Sequence, residues 1–170
     1  TAQGPAKRYD YENGLPVVYL LHGAYGDCSS WIRFSNIERY AQAHNIVAVM
    51  ASVENSVYQD MVHGNAYFTY ITEEVPEYIK TLFPVSRRRE DTFIAGFSMG
   101  GYGAWYVGLT YPERYAKIAG MSAAMDIASL AQQCSDGRIE GPFPWKDAFK
   151  DPEHLAGTDK DIFELYQRCV

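Results

Sequence analysis

Cysteine is scarce in this sequence: Cys28, Cys134 and Cys169 are odd in number, widely spaced, and form no C-x-x-C pair. That argues against metal or redox sites built on cysteine pairs, and a reducing compartment, the cytoplasm, is the simplest expectation. Positive charge is in deficit as well. Fifteen Lys and Arg face twenty-one Asp and Glu, a net charge of −6, the wrong sign for binding phosphates by counterion release, so nucleic acid is not an expected partner. The one basic run, Arg87-Arg88-Arg89, is followed at once by Glu90 and Asp91 and reads as a solvated connecting loop. Long apolar runs are missing. No window approaches eighteen uninterrupted apolar residues, and the first twenty positions lack a charged stretch leading into an apolar one, so no membrane span or secretory leader is expected. Because the sequence opens on Thr1 rather than Met, loss of a leader or an initial segment stays open.

What is present is core-forming material in quantity. A chain of 170 residues, 47% hydrophobic, can bury one sizeable core but is short for two domains. Apolar runs of strand length alternate with stretches of helical period, the pattern of a parallel sheet. Val17 to Leu21, entered through Pro16 and closed by His22-Gly23, reads as a central strand covered on both faces. Ser35-Asn36-Ile37-Glu38 has the S-x-x-E form of a capping box and predicts a helix ending near Asn45. Ile46 to Met50 reads as a second strand, followed by a long polar loop from Ser52 to Asn65. Tyr67 to Phe83 carries one apolar helical face, with Pro76 expected to kink it or mark a later start. Thr92 to Ala95 predicts a third strand, Met99 to about Thr110 a helix, and Tyr115 to Ser122 a fourth strand. Beyond Ala124 the pattern loosens, with one short turn at Trp145 to Phe149 and a last helix over Asp159 to Cys169.

The strongest chemical signal is Gly96-Phe97-Ser98-Met99-Gly100, a G-x-S-x-G pattern between an expected strand and an expected helix. A serine on so tight a turn is forced into a strained backbone region, and the glycines leave room for neighbouring backbone. Ser98 is the candidate nucleophile. The helix after it aims its unpaired N–H groups and positive dipole end at the site, so the Met99 N–H is one candidate oxyanion donor. His22-Gly23-Ala24 closes the first strand, where a strand–turn–helix hydrolase supplies its other donor, here the Ala24 N–H.

These segments, together with Trp31, Asn36 to Tyr40, Asn55-Ser56, Tyr67 to Ile71 and Ala95 to Ala104, resemble the esterase D-like group of α/β-hydrolases, bacterial tributyrin esterases especially. The likeness runs from about Pro16 to Asp126, and Asp161 to Tyr166 resembles the helix before the family's acid-bearing strand. The resemblance implies an α/β-hydrolase fold, a mostly parallel central sheet with helices on both faces. Residues 1–170 would form a single partial domain, incomplete at both ends. It implies hydrolysis of short-chain acyl, acetylated or hydroxycinnamoyl esters through an acyl-enzyme, with a small-molecule ester as partner and no metal or organic cofactor. Family members carry further strands before Val17 and after the last helix, and the later ones deliver the triad acid and histidine.

Neither appears in this sequence. The only histidine after Ser98 is His154, and a triad completed by Asp126 and His154 is not expected. The chain is therefore expected to be truncated and feeble alone, with an unpaired strand edge prone to aggregation. His63 overhangs the same sheet edge on its loop, as a solvated or pocket-lining residue. His44 reads as a helix-end residue. By family analogy Tyr58 and Tyr67 line the acyl or alcohol pocket, although aromatics at such spacings are as often packing. The rivals are a noncatalytic binding domain on the same scaffold and a thioesterase or peptidase of the same fold. Acyl and alcohol specificity and oligomeric state, a homo-oligomer included, are left open.

Overall fold

The computed structural model describes residues 13–169; Thr1, with the leader question, and Val170 lie outside the described residues. The chain runs β1 (Val17–Leu21), α1 (Ser30–Phe34), α2 (Ile37–His44), β2 (Val47–Met50), α3 (Tyr67–Thr69), a π-helical turn (Tyr70–Glu74), α4 (Val75–Leu82), β3 (Thr92–Phe97), α5 (Met99–Thr110), β4 (Lys117–Met121), α6 (Ile127–Ser135), α7 (Trp145–Ala148) and α8 (Ile162–Cys169). The four strands form one parallel sheet in the order β2-β1-β3-β4. Right-handed crossovers in that order put α1 and α2 on one face and α4 and α5 on the other. No helix among the described residues is long and apolar enough to cross a membrane.

Two cores meet on α5. One lies between the sheet and α3 to α5 and contains Val17, Tyr19, Leu21, Ile71, Val75 and Ile94. The second packs the outer side of α5, through Tyr102, Tyr106 and Leu109, against Ile127, Leu155 and Ile162. Sandwiched in this way, α5 buries ten of its twelve residues, which explains why its sequence is apolar all round rather than on one stripe. A polar strap ties the late chain to it: the Tyr102 hydroxyl donates to the Lys160 carbonyl at 2.9 Å, and the Lys160 ammonium donates to the Tyr106 hydroxyl.

Helices on both faces, as expected, hold over β1 and β2 but not over the whole sheet. On the face that α2 covers, the β3–β4 half is open among the described residues, where Phe97 and Met121 are 50% and 41% exposed. Four of the five β4 residues are exposed, so β4 is an uncovered edge of the kind parallel sheets usually hide.

Three local expectations need correction. Ser35 does not form a capping box with Glu38. Its hydroxyl donates to the Trp31 carbonyl and accepts from the Ile37 N–H at 3.2 Å, because Ser35 closes α1, a helix the pattern did not predict. Pro76 does not delay the Tyr67–Leu82 run, which is helical throughout, with Pro76 in the first turn of α4. Proline cannot donate to the carbonyl four residues back, and the π-helical turn precedes it while the freed Thr72 carbonyl accepts from Arg114 Nη1 at 3.0 Å. The stretch after Ala124 is more regular than read: the Asp126 carboxylate accepts from the Ser129 N–H at 2.8 Å and caps α6.

Candidate active site

Backbone strain gathers at one edge of the sheet. Among the described residues seven non-glycine positions have positive φ, and six of them, Tyr25, Glu54, Val57, Tyr58, Ser98 and Ser122, lie on loops leaving the carboxyl ends of the four strands. The seventh, Asn45, caps α2. Each such residue costs about 1–3 kcal/mol and persists only when its surroundings over-determine it. The strand order reverses between β1 and β3, which makes the carboxyl-end crevice there the expected ligand position of an open parallel sheet.

Ser98 stands in that crevice, with φ 54° and ψ −117°. The turn closes because two glycines let backbone pass: a Cβ on Gly96 would lie 1.9 Å from the Gly100 carbonyl oxygen, and one on Gly100 would lie 2.3 Å from that of Leu21. Both peptides flanking the Ser98 Cα are held. Its N–H donates to the Met121 carbonyl at 2.9 Å, and its carbonyl accepts from Gly101, Tyr102 and Ala124. Met99 opens α5, so its N–H has no acceptor inside the helix.

On the neighbouring strand end, His22 is 2% exposed and both ring nitrogens are engaged. Nε2 accepts from the Val53 N–H at 3.0 Å, which leaves the ring proton on Nδ1, and Nδ1 donates to the Gly23 carbonyl at 2.7 Å. Burial lowers the His22 pKa against the opposing pulls of the Gly23 bond and the Asp27 carboxylate, so the ring is kept neutral. Gly23 O also accepts from the Gly26 N–H at 3.1 Å. That carbonyl and the Ala24 N–H belong to one trans peptide and point opposite ways, so gripping the oxygen aims the candidate donor.

The loop after β2 clamps the same segment. The Tyr58 hydroxyl donates to the His22 carbonyl at 2.9 Å, the Cys28 N–H donates to Ser52 Oγ at 2.9 Å, and the Tyr25 N–H donates to Asn55 Oδ1 at 2.8 Å. From the sequence, Ser52 has no assigned role, Asn55 stands only among the family-like segments and His22 only in the motif that closes β1, since contacts some 30 residues apart leave no local pattern. A cavity of about 310 Å³ adjoins the turn, lined by His22, Gly23, Trp31, Phe34, Phe97 and Met121, and continues onto the open half of the sheet.

Other expected site residues stand elsewhere. Tyr58 has no exposed surface and so lines no open pocket; it is a buried strut whose ring packs under Gly103. Tyr67 is also buried, with its hydroxyl accepting from Asn65 Nδ2 at 3.1 Å. His63 is exposed, its backbone N–H donates to the Asp147 carbonyl in α7, and no hydrogen bond joins it to Ser98 among the described residues. Asp126 serves as the α6 cap, whereas exposed His154 pairs with Asp151 at 2.9 Å, which raises its pKa. His44 ends α2. Among the described residues, then, no histidine bonds Ser98.

The family model described as "Putative esterase" matches residues 5–162. The chain belongs to this esterase family. An acetyl esterase of Caldicellulosiruptor saccharolyticus is 36% identical over 162 residues, which are 94% of this chain and 60% of that protein. The fluorophosphonate-binding serine hydrolase F of Staphylococcus aureus, substrate bound, superposes with a TM-score of 0.75 at 34% identity, over 97% of this chain and 62% of that one. The S-formylglutathione hydrolase of the same organism gives 0.76 at 35% identity, over 92% and 59%. This member of the esterase family therefore spans about three fifths of the length of those relatives. Its fold is the α/β-hydrolase fold.

Proposed function

We propose that this chain carries the nucleophile and the oxyanion hole of a serine carboxylic-ester hydrolase. One observation carries the reading: Ser98 is held at φ 54° and ψ −117° on a strand-to-helix turn, beside the strand end that bears Ala24. In the reaction, Ser98 Oγ attacks the ester carbonyl while its proton passes to a histidine base. The oxyanion that forms accepts from the N–H groups of Ala24 and Met99, each worth about 3 kcal/mol in such a site. Collapse breaks the bond to the alcohol oxygen, which leaves with the proton from the base, and water then releases the acid from the acyl-enzyme by the same steps in reverse.

The base and the acid that orients it come from outside the described residues. His22 is neutral, buried and bonded at both ring nitrogens, His44 ends α2, His154 pairs with Asp151, and His63 makes no hydrogen bond to Ser98 among the described residues. The greater length of the relatives supports this. The acetyl esterase and S-formylglutathione hydrolase relatives favour a short acyl group in a small-molecule ester, and a ferulic acid esterase at 29% identity and TM-score 0.57 keeps hydroxycinnamoyl esters within the class.

The test is hydrolysis of p-nitrophenyl acetate by the full gene product beside its Ser98→Ala variant. Wild type should turn over and the variant should lose about 10⁴-fold or more in kcat. Equal turnover by the two would overturn the reading. Residues 1–170 alone should hydrolyse the ester several orders of magnitude more slowly than the full product.

A further inference from the structure

Ala24 lies between two peptides, and each is held by a different side chain. The peptide before it is gripped at the Gly23 carbonyl by His22 Nδ1 at 2.7 Å. The peptide after it ends in the Tyr25 N–H, which donates to Asn55 Oδ1 at 2.8 Å. Tyr25 has φ 60° and is 82% exposed, so packing of its ring does not hold this left-handed backbone in place. Asn55 is itself anchored, its Nδ2 donating to the Pro142 carbonyl at 3.2 Å on the segment between α6 and α7. The two ends have opposite polarity, an acceptor toward Tyr25 and a donor toward Pro142. Aspartate, its isostere, supplies only the acceptor, and leucine supplies neither.

We propose that Asn55 is a positioning residue of the oxyanion hole: it fixes the Ala24–Tyr25 peptide, and with it the aim of the Ala24 N–H, from an anchor on the Pro142 segment. The proposal rests on acyl transfer at Ser98. A donor aimed at the developing oxyanion acts mainly in the transition state, so its misalignment lowers kcat and leaves KM nearly alone. A role in general folding would move the melting temperature instead, without that split.

The experiment measures kcat and KM for p-nitrophenyl acetate in the full gene product, with Asn55→Ala beside wild type and Ser98→Ala. Asn55→Ala should lower kcat about tenfold, a fraction of what a whole oxyanion donor contributes, with KM within about twofold and an unchanged melting temperature. Wild-type kcat in Asn55→Ala, or a KM effect alone, overturns the assignment. If Asn55→Ala does not fold, Asn55→Thr carries the test, because it is uncharged, close in volume, and its single hydroxyl cannot span both the Tyr25 N–H and the Pro142 carbonyl. A kcat reduced several-fold at constant KM then supports the proposal, and wild-type kcat overturns it. Hydrolysis surviving in Ser98→Ala would instead remove the acyl-transfer reading itself.

Discussion

His22 Nδ1 donates to the Gly23 carbonyl at 2.7 Å, and that carbonyl shares its peptide with the N–H of Ala24. A buried ring thereby sets the direction of a backbone donor that it never touches. The arrangement needs the neutral ring, since protonating Nε2 would turn the acceptor of the Val53 N–H into a second donor.

Replacing His22 by Ala leaves the Val53 N–H without its acceptor in a buried place, which costs about 1–3 kcal/mol, and also empties the volume of the ring. Urea unfolding of His22→Ala should show that loss or more, and kcat should fall with it as the Gly23 peptide is freed.

The same ring gives stability a definite pH dependence. Burial lowers the folded-state pKa of His22 below the ordinary 6.5, so the unfolded chain binds the extra proton first. Its contribution is complete above about 6.5, declines as pH falls below that value, and is lost once pH has passed the lowered folded pKa. His154 has the opposite sign, because Asp151 raises its pKa. That pair is solvent-exposed and should contribute little. Melting temperature followed from pH 8 to about pH 5 should fall, and His154→Ala should leave the curve in place; a flat curve contradicts the buried neutral ring.

Gly100→Ala should be among the most damaging single methyl additions in the chain. The new Cβ would sit 2.3 Å from the Leu21 carbonyl oxygen, and neither backbone segment can move without opening the turn at Ser98. Gly137 also has positive φ, at 68°, but faces open space; there alanine meets only the left-handed strain of about 1–2 kcal/mol. Paired thermal melts should show Gly100→Ala losing clearly more than Gly137→Ala.

Arg114 is worth more than its exposed ion pair with Glu73. It also supplies the donor that Pro76 cannot, to the Thr72 carbonyl, and lies 4.0 Å from the centre of the Tyr111 ring. Arg114→Ala should cost about 1–2 kcal/mol in chemical denaturation, whereas Glu73→Gln should cost less than 1 kcal/mol.

The elements that sequence reading located well are those whose signal is local. β1 is a five-residue apolar run bounded by Pro16 and His22-Gly23, and its observed limits match the expected Val17 to Leu21. The Ser98 turn is likewise written in five consecutive residues. α6 was missed even though Asp126 followed by Ile127, Leu130 and Ala131 is a cap and an apolar stripe, because Gly137, Gly141, Pro142 and Pro144 follow closely and interrupt the helical period. The clamp on Ala24 was invisible for a different reason. Val53, Asn55 and Tyr58 meet residues 22–25 only after β1 and β2 pair in register, so although Asn55-Ser56 and Tyr58 stand out by family likeness, no local pattern says which distant peptide each will hold.

The most direct measurement is the mass of the covalent adduct formed when the full gene product meets a fluorophosphonate, mapped by tryptic peptides. One phosphonate on Ser98, absent in Ser98→Ala, is the result expected of a serine on a strained turn with a working base. Hydrolysis of p-nitrophenyl acetate with the adduct on another residue, or with Ser98 left unmodified, would contradict the assignment of Ser98 as the nucleophile.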